Sequence, residues 1–266
     1  MNGQTSPDGG ARHIVLIHGA WQGSWAFAAW RPMLAAHGWQ VHTIDLPGNG
    51  WPPAADAPAN LDSYTAHVSS ALRALDAPAI VVGHSGGGIT ASQVAEAVPE
   101  RVAGLVYLAG MMLPSGMSFI DLIADTAALT PGVDLAGISP WLDHSADGLF
   151  TQVRTDGALR CFLQDCDPDA ARAAAALLRP QQESGRAMRN QLSAARFGRV
   201  PRVYVECLDD QSVLLPLQRR MQQLSPGAQR ISLDCGHVPQ LAQPAQLTSL
   251  LLPVIETFMR QQAQVR

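Results

Sequence analysis

Residues 81–88, Val-Val-Gly-His-Ser-Gly-Gly-Gly, constrain the fold of this chain more than any other stretch. Apolar β-branched residues typical of a buried strand lead into a glycine-rich turn with Ser85 at its apex. Residues 83–87 fit the G-x-S-x-G pattern, in which a serine on a strained strand-to-helix turn needs small neighbours on both sides. The next helix would direct its N-terminal N–H groups at the serine. The stretch therefore predicts a strand–turn–helix unit that presents a reactive serine.

Strands and helices alternate along most of the chain, which predicts an α/β fold with a mainly parallel sheet flanked by helices. Ligands of such sheets bind at the carboxyl ends of the strands. We predict strands over residues 13–18, 40–45, 79–82, 102–109, 201–207 and 229–233. We predict helices over residues 26–37 and 61–75, from the turn at Ser85 to about residue 98, and over residues 170–178, 215–224 and 244–260. We expect the last helix to be interrupted near Pro253.

The alternation stops over residues 113–199, where helical and loop patterns occur without a convincing strand. We interpret residues 113–199 as a helical cap inserted into a core that consists of residues 12–112 and 200–266. Residues 1–11 are polar and glycine-containing, and we expect a disordered tail there. The length of 266 residues and the 47% hydrophobic content are sufficient for a core of this size.

Composition excludes several classes of function. The formal net charge of −4 argues against a nucleic-acid partner and against attraction to an anionic membrane. No apolar run is long enough to span a bilayer, and residues 1–11 lack the apolar segment of a secretory signal. We expect a cytoplasmic protein, either a monomer or a homodimer.

The cysteine and lysine contents narrow the chemistry further. All 18 basic residues are arginine, which excludes Schiff-base chemistry, a Walker lysine and a Ser-Lys dyad. The cysteines lack C-x-x-C spacing, so we expect free thiols and no metal site. The four cysteines are Cys161, Cys166, Cys207 and Cys235.

A serine hydroxyl needs a base to become a nucleophile, and the base needs an orienting acid. Among the eight histidines, His237 is the best candidate for the base because it follows the last predicted strand in a glycine-flanked loop. Asp209 and Asp210 follow the penultimate strand and both are candidates for the acid, with Asp45 a weaker one. The order Ser, Asp, His along the chain is typical of the α/β-hydrolase class.

Such chemistry also needs N–H donors for the oxyanion of the tetrahedral intermediate. One donor is expected from Gly86, the residue after the serine. The other is expected from Ala20, because Gly19 and Ala20 follow the first predicted strand and let the backbone approach closely.

Three stretches together resemble one branch of the α/β-hydrolase superfamily. They are residues 17–25 (Ile-His-Gly-Ala-Trp-Gln-Gly-Ser-Trp), 83–88, and 236–241 (Gly-His-Val-Pro-Gln-Leu). The branch contains plant methylesterases, the salicylate-binding esterase and the hydroxynitrile lyases, and the similarity is loosest over the cap. The resemblance implies a Ser-His-Asp triad in an apolar, cap-covered pocket, without a metal or an organic cofactor. The family has a typical spacing between a tyrosine, the catalytic aspartate and a glutamine. Matching that spacing to Tyr204 and Gln218 favours Asp210 over Asp209 as the acid.

The chain departs from the family pattern at three positions. The lyases carry a lysine directly after the catalytic histidine, where this chain has Val238, and a hydroxyl residue where it has Gly19. Both differences favour an esterase over a lyase. Gly86 replaces the bulky residue that usually follows the serine, which implies a wider pocket floor.

We therefore expect a serine carboxylic ester hydrolase that acts on a small, largely apolar ester through an acyl-enzyme. Ser85 would be the nucleophile, His237 the base and Asp210 the acid. Lactone or amide hydrolysis, or lyase-like C–C cleavage, at the same triad is an alternative. A small-molecule binding protein with slow turnover is an alternative of another class. The predicted substrate-binding residues are Gly19, Trp141, His144, Phe150, Phe162 and Val238.

Overall fold

The computed structural model of the chain describes residues 11–48 and 58–264, so the predicted tail lies outside the described residues except for its last residue, Ala11. The strands, numbered in chain order, are β1 (His13–Ile17), β2 (Gln40–Ile44), β3 (Ala79–His84), β4 (Val102–Leu108), β5 (Leu142–His144), β6 (Phe150–Val153), β7 (Gln181–Gln182), β8 (Arg202–Cys207) and β9 (Ala228–Leu233). The α-helices are α1 (Arg31–Ala36), α2 (Leu61–Arg73), α3 (Gly87–Ala97), α4 (Phe119–Leu129), α5 (Thr155–Cys161), α6 (Pro168–Leu177), α7 (Leu215–Leu224), α8 (Pro239–Ala242) and α9 (Pro244–Gln264).

The main sheet has the strand order β2-β1-β3-β4-β8-β9, and every neighbouring pair in it is parallel. The central strands β1, β3 and β4 are buried along their whole length. They read as continuous apolar runs because helices cover both of their faces. The predicted α/β fold with a mainly parallel sheet is confirmed.

Two hydrophobic layers hold the helices on the sheet. On one face, α2, α3 and α7 pack over side chains such as Val15 and Val81. On the other face, α1 and α9 pack over Ile14 and Val82, the neighbours of those residues in the same strands. Successive residues of a strand point to opposite faces, so the same two strands supply both layers. Among the described helices, none is both long and apolar enough to cross a membrane.

The strand order explains why distant parts of the sequence meet. The first strand, β1, lies in the interior of the sheet, with β2 on one side of it and β3, β4, β8 and β9 on the other. Because the strands are parallel, the loops that follow β1, β3, β8 and β9 emerge at the same edge of the sheet. The predicted functional loops are these four.

The expectation that residues 113–199 contain no strand is wrong. This 113–199 segment holds α4, α5 and α6, and also a three-stranded antiparallel sheet with the order β5-β6-β7. The strands are two to four residues long. Such lengths are too short for a period-two pattern to show in the sequence, and β7 is simply Gln181–Gln182.

The predicted interruption of the last helix is also wrong, because α9 is one continuous helix of 21 residues with Pro253 inside it. Proline cannot donate the backbone hydrogen bond of an interior helical residue. Buried side chains on both sides of it, Leu251 and Leu252 before and Ile255 and Phe258 after, pack on the sheet and keep both halves of the helix in place.

This arrangement predicts that Pro253→Ala raises the free energy of unfolding by about 1–3 kcal/mol, since alanine restores the missing N–H and relieves the ring clash. Urea denaturation followed by circular dichroism measures the change. Gln261→Ala, at an exposed position of the same helix, is the control and should change stability by less than about 0.5 kcal/mol. Equal stability of Pro253→Ala and the unaltered chain would contradict the prediction.

Candidate active site

Ser85 occupies a strained turn between β3 and α3. Its φ angle of +51° lies in the left-handed region that residues with side chains rarely adopt. Backbone hydrogen bonds hold the strained residue on both sides. Its N–H donates to the carbonyl of Leu108 at 3.2 Å, and its carbonyl accepts from the N–H of Met111 at 2.8 Å and of Gly88 at 3.0 Å. The turn is thus tied to β4 and to the first residues of α3.

The glycines around Ser85 fall into two groups. A Cβ atom at Gly83, Gly87 or Gly88 would lie 2.6 to 2.7 Å from backbone atoms, closer than any side chain can be placed. At Gly86, by contrast, a Cβ atom would meet only the backbone nitrogen of Ala20, at 3.8 Å. Packing therefore requires glycine at the first three positions, whereas at Gly86 it leaves room for a side chain.

The loops after β8 and β9 bring a carboxylate and an imidazole together in the interior. Nδ1 of His237 lies 2.7 Å from Oδ2 of Asp210, and both side chains are buried. Oδ1 of Asp210 accepts the N–H groups of Ser212 and Val213 at 2.7 and 2.9 Å, and Nε2 of Gln218 lies 3.3 Å from Oδ2. A carboxylate oxygen accepts hydrogen bonds, so in this contact Nδ1–H of His237 donates to Oδ2 of Asp210 and Nε2 takes no part in it.

The other two aspartates considered from the sequence lie elsewhere. Asp209 is exposed, and its N–H donates to the carbonyl of Cys235 at 3.0 Å. Asp45 accepts hydrogen bonds from the N–H and the hydroxyl of Ser24 at 2.7 and 2.9 Å, and so ties the end of β2 to the loop after β1. The structure brings Asp210, and neither Asp209 nor Asp45, to His237.

His84, the residue before the serine, supports the His237 loop. Its Nε2 lies 2.8 Å from the carbonyl oxygen of His237, and its Nδ1 lies 3.0 Å from the side-chain amide of Gln22. Complete burial lowers the pKa of His84 well below its usual value, so the ring is neutral. A backbone carbonyl only accepts, so Nε2–H of His84 donates to it. The Gln22 atom 3.0 Å from Nδ1 is Oε1, so Nδ1 can accept only when the amide is turned to present its NH2 group.

His18 plays a similar structural part at the end of β1. Nδ1 donates to the carbonyl of Gly19 at 2.8 Å, and Nε2 accepts the N–H of Leu46 at 3.1 Å. Burial lowers the pKa of His18, which matches the one-donor, one-acceptor pattern of a neutral ring. The two buried histidines were not identified from the sequence, because no local pattern distinguishes a ring that holds a backbone from one that reacts.

Ala20 and Gly86 both line the same cavity as Ser85. Among residues 11–48 and 58–264, neither N–H group has a hydrogen-bond acceptor. Within the described part of the chain, the loop after β1 and the residue after the serine thus each leave one N–H group without an acceptor, in residues that line this cavity.

The cavity that contains Ser85 has a volume of about 510 Å³. Its walls are mainly apolar, with His144, Glu183, Arg186 and Arg189 among the polar residues. Apolar residues of both the core and the 113–199 segment form these walls. The apolar residues include Leu46, Tyr64, Ile89, Met111, Phe119, Ile123, Leu135, Ile138, Leu142, Met188 and Val213.

Two of the predicted substrate-binding residues, Gly19 and His144, line this cavity. Trp141 and Phe150 do not, which corrects their expected position in its walls. The guanidinium groups of Arg154 and Arg160 lie 5.2 and 5.8 Å from the ring centroid of Trp141. Phe150 is exposed on β6, whose alternate residues are buried.

Phe162 and Val238 are also absent from the cavity walls, because both are buried in a separate apolar cluster. The ring of Phe162 stacks on the imidazole of His237, with a centroid distance of 5.2 Å. It therefore contacts the ring of the predicted base and does not line the cavity that contains Ser85.

Sequence reasoning assigned no role of its own to Trp21, which joins the β1 loop to the 113–199 segment. Trp21 has a φ angle of +61° and lines the cavity. Its N–H donates to Oε1 of Gln181 at 2.8 Å, and its indole N–H donates to Oγ1 of Thr151 at 3.2 Å. The guanidinium of Arg186 lies over its ring at 4.6 Å. These partners lie 130 residues or more away along the chain, beyond the reach of any local pattern.

Within the described part of the chain, no group of three or more His, Cys, Asp or Glu side chains is arranged to hold a metal ion. The four cysteines are free thiols, as the absence of paired spacing predicts.

The contrast between the two aspartates predicts different effects on stability. Asp210→Ala leaves the buried donors of Ser212, Val213 and His237 without a partner and should lower the free energy of unfolding by about 3 kcal/mol. Asp209→Ala removes an exposed side chain and should change it by less than about 0.5 kcal/mol. Urea denaturation of both variants measures the difference, and equal effects would contradict the assignment of Asp210 as the buried partner.

Comparison with known proteins gives the following similarities. Residues 14–250 match the profile described as the alpha/beta hydrolase family. A pyrethroid hydrolase of Sphingobium wenxiniae is 29% identical over 249 residues, which is 90% of this chain and 85% of that protein. Salicylic acid-binding protein 2 of Nicotiana tabacum is 26% identical over 93% of this chain and 98% of its own. The crystal structure of a pyrethroid hydrolase from Sphingobium faniae, 26% identical, superposes with a TM-score of 0.80 over 92% of this chain and 98% of the other.

Proposed function

The chain belongs to the alpha/beta hydrolase family, and on that premise we propose that it is a serine carboxylic ester hydrolase that works through an acyl-enzyme. The family match confirms the resemblance found in the sequence. Relatives named as esterases and hydrolases, among them the pyrethroid hydrolase and methylesterase 1 of Arabidopsis thaliana, support ester hydrolysis as the type of reaction. The observation that carries the proposal is the buried Asp210–His237 pair, 2.7 Å apart, at the sheet edge that also presents Ser85.

The proposed reaction begins when the hydroxyl of Ser85 attacks the ester carbonyl carbon and its proton passes to Nε2 of His237. Asp210 holds the other ring nitrogen and stabilises the imidazolium that forms. The free N–H groups of Ala20 and Gly86 donate to the oxyanion of the tetrahedral intermediate. His237 then returns the proton to the departing alkoxide, which leaves as the alcohol.

Water completes the cycle. His237 removes a proton from water, the hydroxide attacks the acyl-enzyme carbonyl, and Ser85 recovers its proton as the carboxylic acid leaves. All the groups needed for these steps are side chains or backbone atoms of this chain.

The cavity indicates the substrate class. A volume of about 510 Å³ falls in the range of about 300–1,000 Å³ typical of sites for drug-sized ligands. Because apolar side chains dominate its walls, we propose an uncharged, largely apolar ester. The proposal includes the 113–199 segment as a cap, since Phe119, Ile138 and Leu142 of that segment form part of the wall around the substrate.

The role of Ser85 can be tested with a short p-nitrophenyl ester. Ser85→Ala should lower kcat by about 10⁴-fold or more, since the nucleophile is lost while the fold is kept. Ser139→Ala is the matched control, because Ser139 lines the same cavity and makes no side-chain hydrogen bond among the described residues. Turnover by Ser85→Ala at the rate of the unaltered chain would contradict the proposal.

The alternative of a binding protein has its own test. Tight binding of a small acid by the unaltered chain, with negligible turnover across a panel of esters, would indicate a binding protein instead.

Gly86 should influence the size of the acyl group that is accepted, because packing leaves room for a side chain there. Gly86→Met is expected to lower kcat/KM for bulky acyl esters by about 10- to 100-fold, the effect of 1–3 kcal/mol of overpacking. The acetyl ester of the same alcohol is the internal control, and its kcat/KM should change much less. A uniform loss for all esters would show that the new side chain disturbs the oxyanion donors and does not select for size.

A further inference from the structure

Residues 162–165, Phe-Leu-Gln-Asp, form a turn after α5 that touches both loops of the Asp210–His237 pair. At its start the ring of Phe162 stacks on the imidazole of His237, with ring centroids 5.2 Å apart and planes inclined by 26°. The contact holds one face of the ring, while Nδ1 is held by Asp210. The 162–165 turn belongs to the 113–199 segment, more than 40 residues before either loop in the sequence.

The other end of the turn binds the backbone of the same two loops. The side-chain amide of Gln164 donates to the carbonyl of Asp209 at 3.0 Å, directly before Asp210. The carboxylate of Asp165 accepts the N–H of Gly236 at 2.6 Å, directly before His237. The acid loop is the loop after β8 that carries Asp210, and the histidine loop is the loop after β9 that carries His237. Gln164 and Asp165 thus each bind a backbone group of the residue directly before one of these two side chains.

The glycine before His237 fits this contact. A Cβ atom on Gly236 would lie 2.6 Å from Oδ1 of Asp165 and closer still to the amide of Gln164. The absence of a side chain at Gly236 therefore lets the turn approach the histidine loop closely enough to bind its N–H. The two loops are also joined directly, because the N–H of Asp209 donates to the carbonyl of Cys235 at 3.0 Å.

Gln164 and Asp165 are exposed and do not line the cavity that contains Ser85. Neither side chain therefore contacts the substrate. Their hydrogen bonds reach only backbone atoms beside the acid and the base, so any effect on catalysis acts through the position of Asp210 and His237.

We propose that the 162–165 turn is a positioning element that holds the acid loop and the histidine loop of the triad in register. This inference rests on the proposed function, because it assigns a role in the same reaction. The inserted segment then does more than form the cavity wall, since it also sets the geometry of the two residues that activate Ser85.

The test measures kcat and KM for a p-nitrophenyl ester in exposed, readily tolerated variants. Asp165→Ala removes the acceptor of the Gly236 N–H and should lower kcat about tenfold, less than the about 10²-fold that a 1 Å misplacement can cause. KM should change less than twofold, since the cavity is untouched. Asp165→Asn keeps an oxygen acceptor without the charge and should retain most of kcat. Gln164→Glu keeps the size but loses the donor, and it should lower kcat in the same way.

Asp167→Ala is the matched control. Asp167 lies two residues further along, and its carboxylate accepts the N–H groups of Asp169 and Ala170 at 3.0 Å, but it contacts neither loop. Its loss should loosen the start of α6 and leave kcat unchanged. An equal fall of kcat in Asp167→Ala and Asp165→Ala would overturn the proposal, because general loosening of the segment would then explain both.

Two further outcomes would overturn the proposal. Equal loss of kcat in Asp165→Asn and Asp165→Ala would assign the effect to charge, and unchanged kcat in Asp165→Ala and Gln164→Glu would leave the turn without a role.

Labelling of Ser85 by a serine-directed phosphonate separates this inference from the proposed function. If the unaltered chain is not labelled, the proposed function fails. If the unaltered chain and Asp165→Ala are labelled equally fast, only the positioning role fails.

Discussion

The hydrogen bond between Nδ1 of His237 and Oδ2 of Asp210 joins the loops after β8 and β9 in the interior of the protein. A carboxylate removed from water is costly unless hydrogen-bond donors surround it. The N–H groups of Ser212 and Val213 and the amide of Gln218 supply those donors, so the charge is accommodated where it can orient the imidazole. The arrangement of the two loops depends on this pair, because it holds Nδ1 of His237 against the carboxylate and leaves Nε2 as the other ring nitrogen.

Much of the surrounding structure serves to hold backbone in place. His18 and His84 are fully buried, and burial lowers the pKa of each, so they act as neutral rings that donate to one backbone carbonyl. One ring binds the carbonyl of Gly19 and the other the carbonyl of His237. Hydrogen bonds of this kind fix loops that would otherwise be free at the edge of the sheet. Among the described residues, the N–H groups of Ala20 and Gly86 are left without an acceptor.

The glycines around the strained turn at Ser85 differ in why the chain has glycine there. Gly83, Gly87 and Gly88 are required by close backbone contacts, whereas Gly86 has space for a side chain. The first three glycines therefore belong to the fold, and the fourth influences the shape of the cavity. The 113–199 segment completes that cavity and is tied to the β1 loop by Trp21, whose two N–H groups bind Gln181 and Thr151.

The sequence by itself determined the parallel sheet, the strand–turn–helix unit at Ser85 and the order of the three candidate residues, because these depend on local patterns. A buried strand, a tight glycine turn and a proline-bounded helix are each encoded within about ten residues. Local rules failed where a neighbour in space overrides them, as at Pro253, where buried contacts on both sides keep α9 continuous. Only the tertiary structure showed that Asp210, and not Asp209, contacts His237. It also placed the 162–165 turn against both loops of this pair. Four residues expected in the cavity walls lie outside them: Trp141, Phe150, Phe162 and Val238. These facts depend on which side chains meet across more than twenty residues of chain, and no periodicity or turn pattern records such meetings.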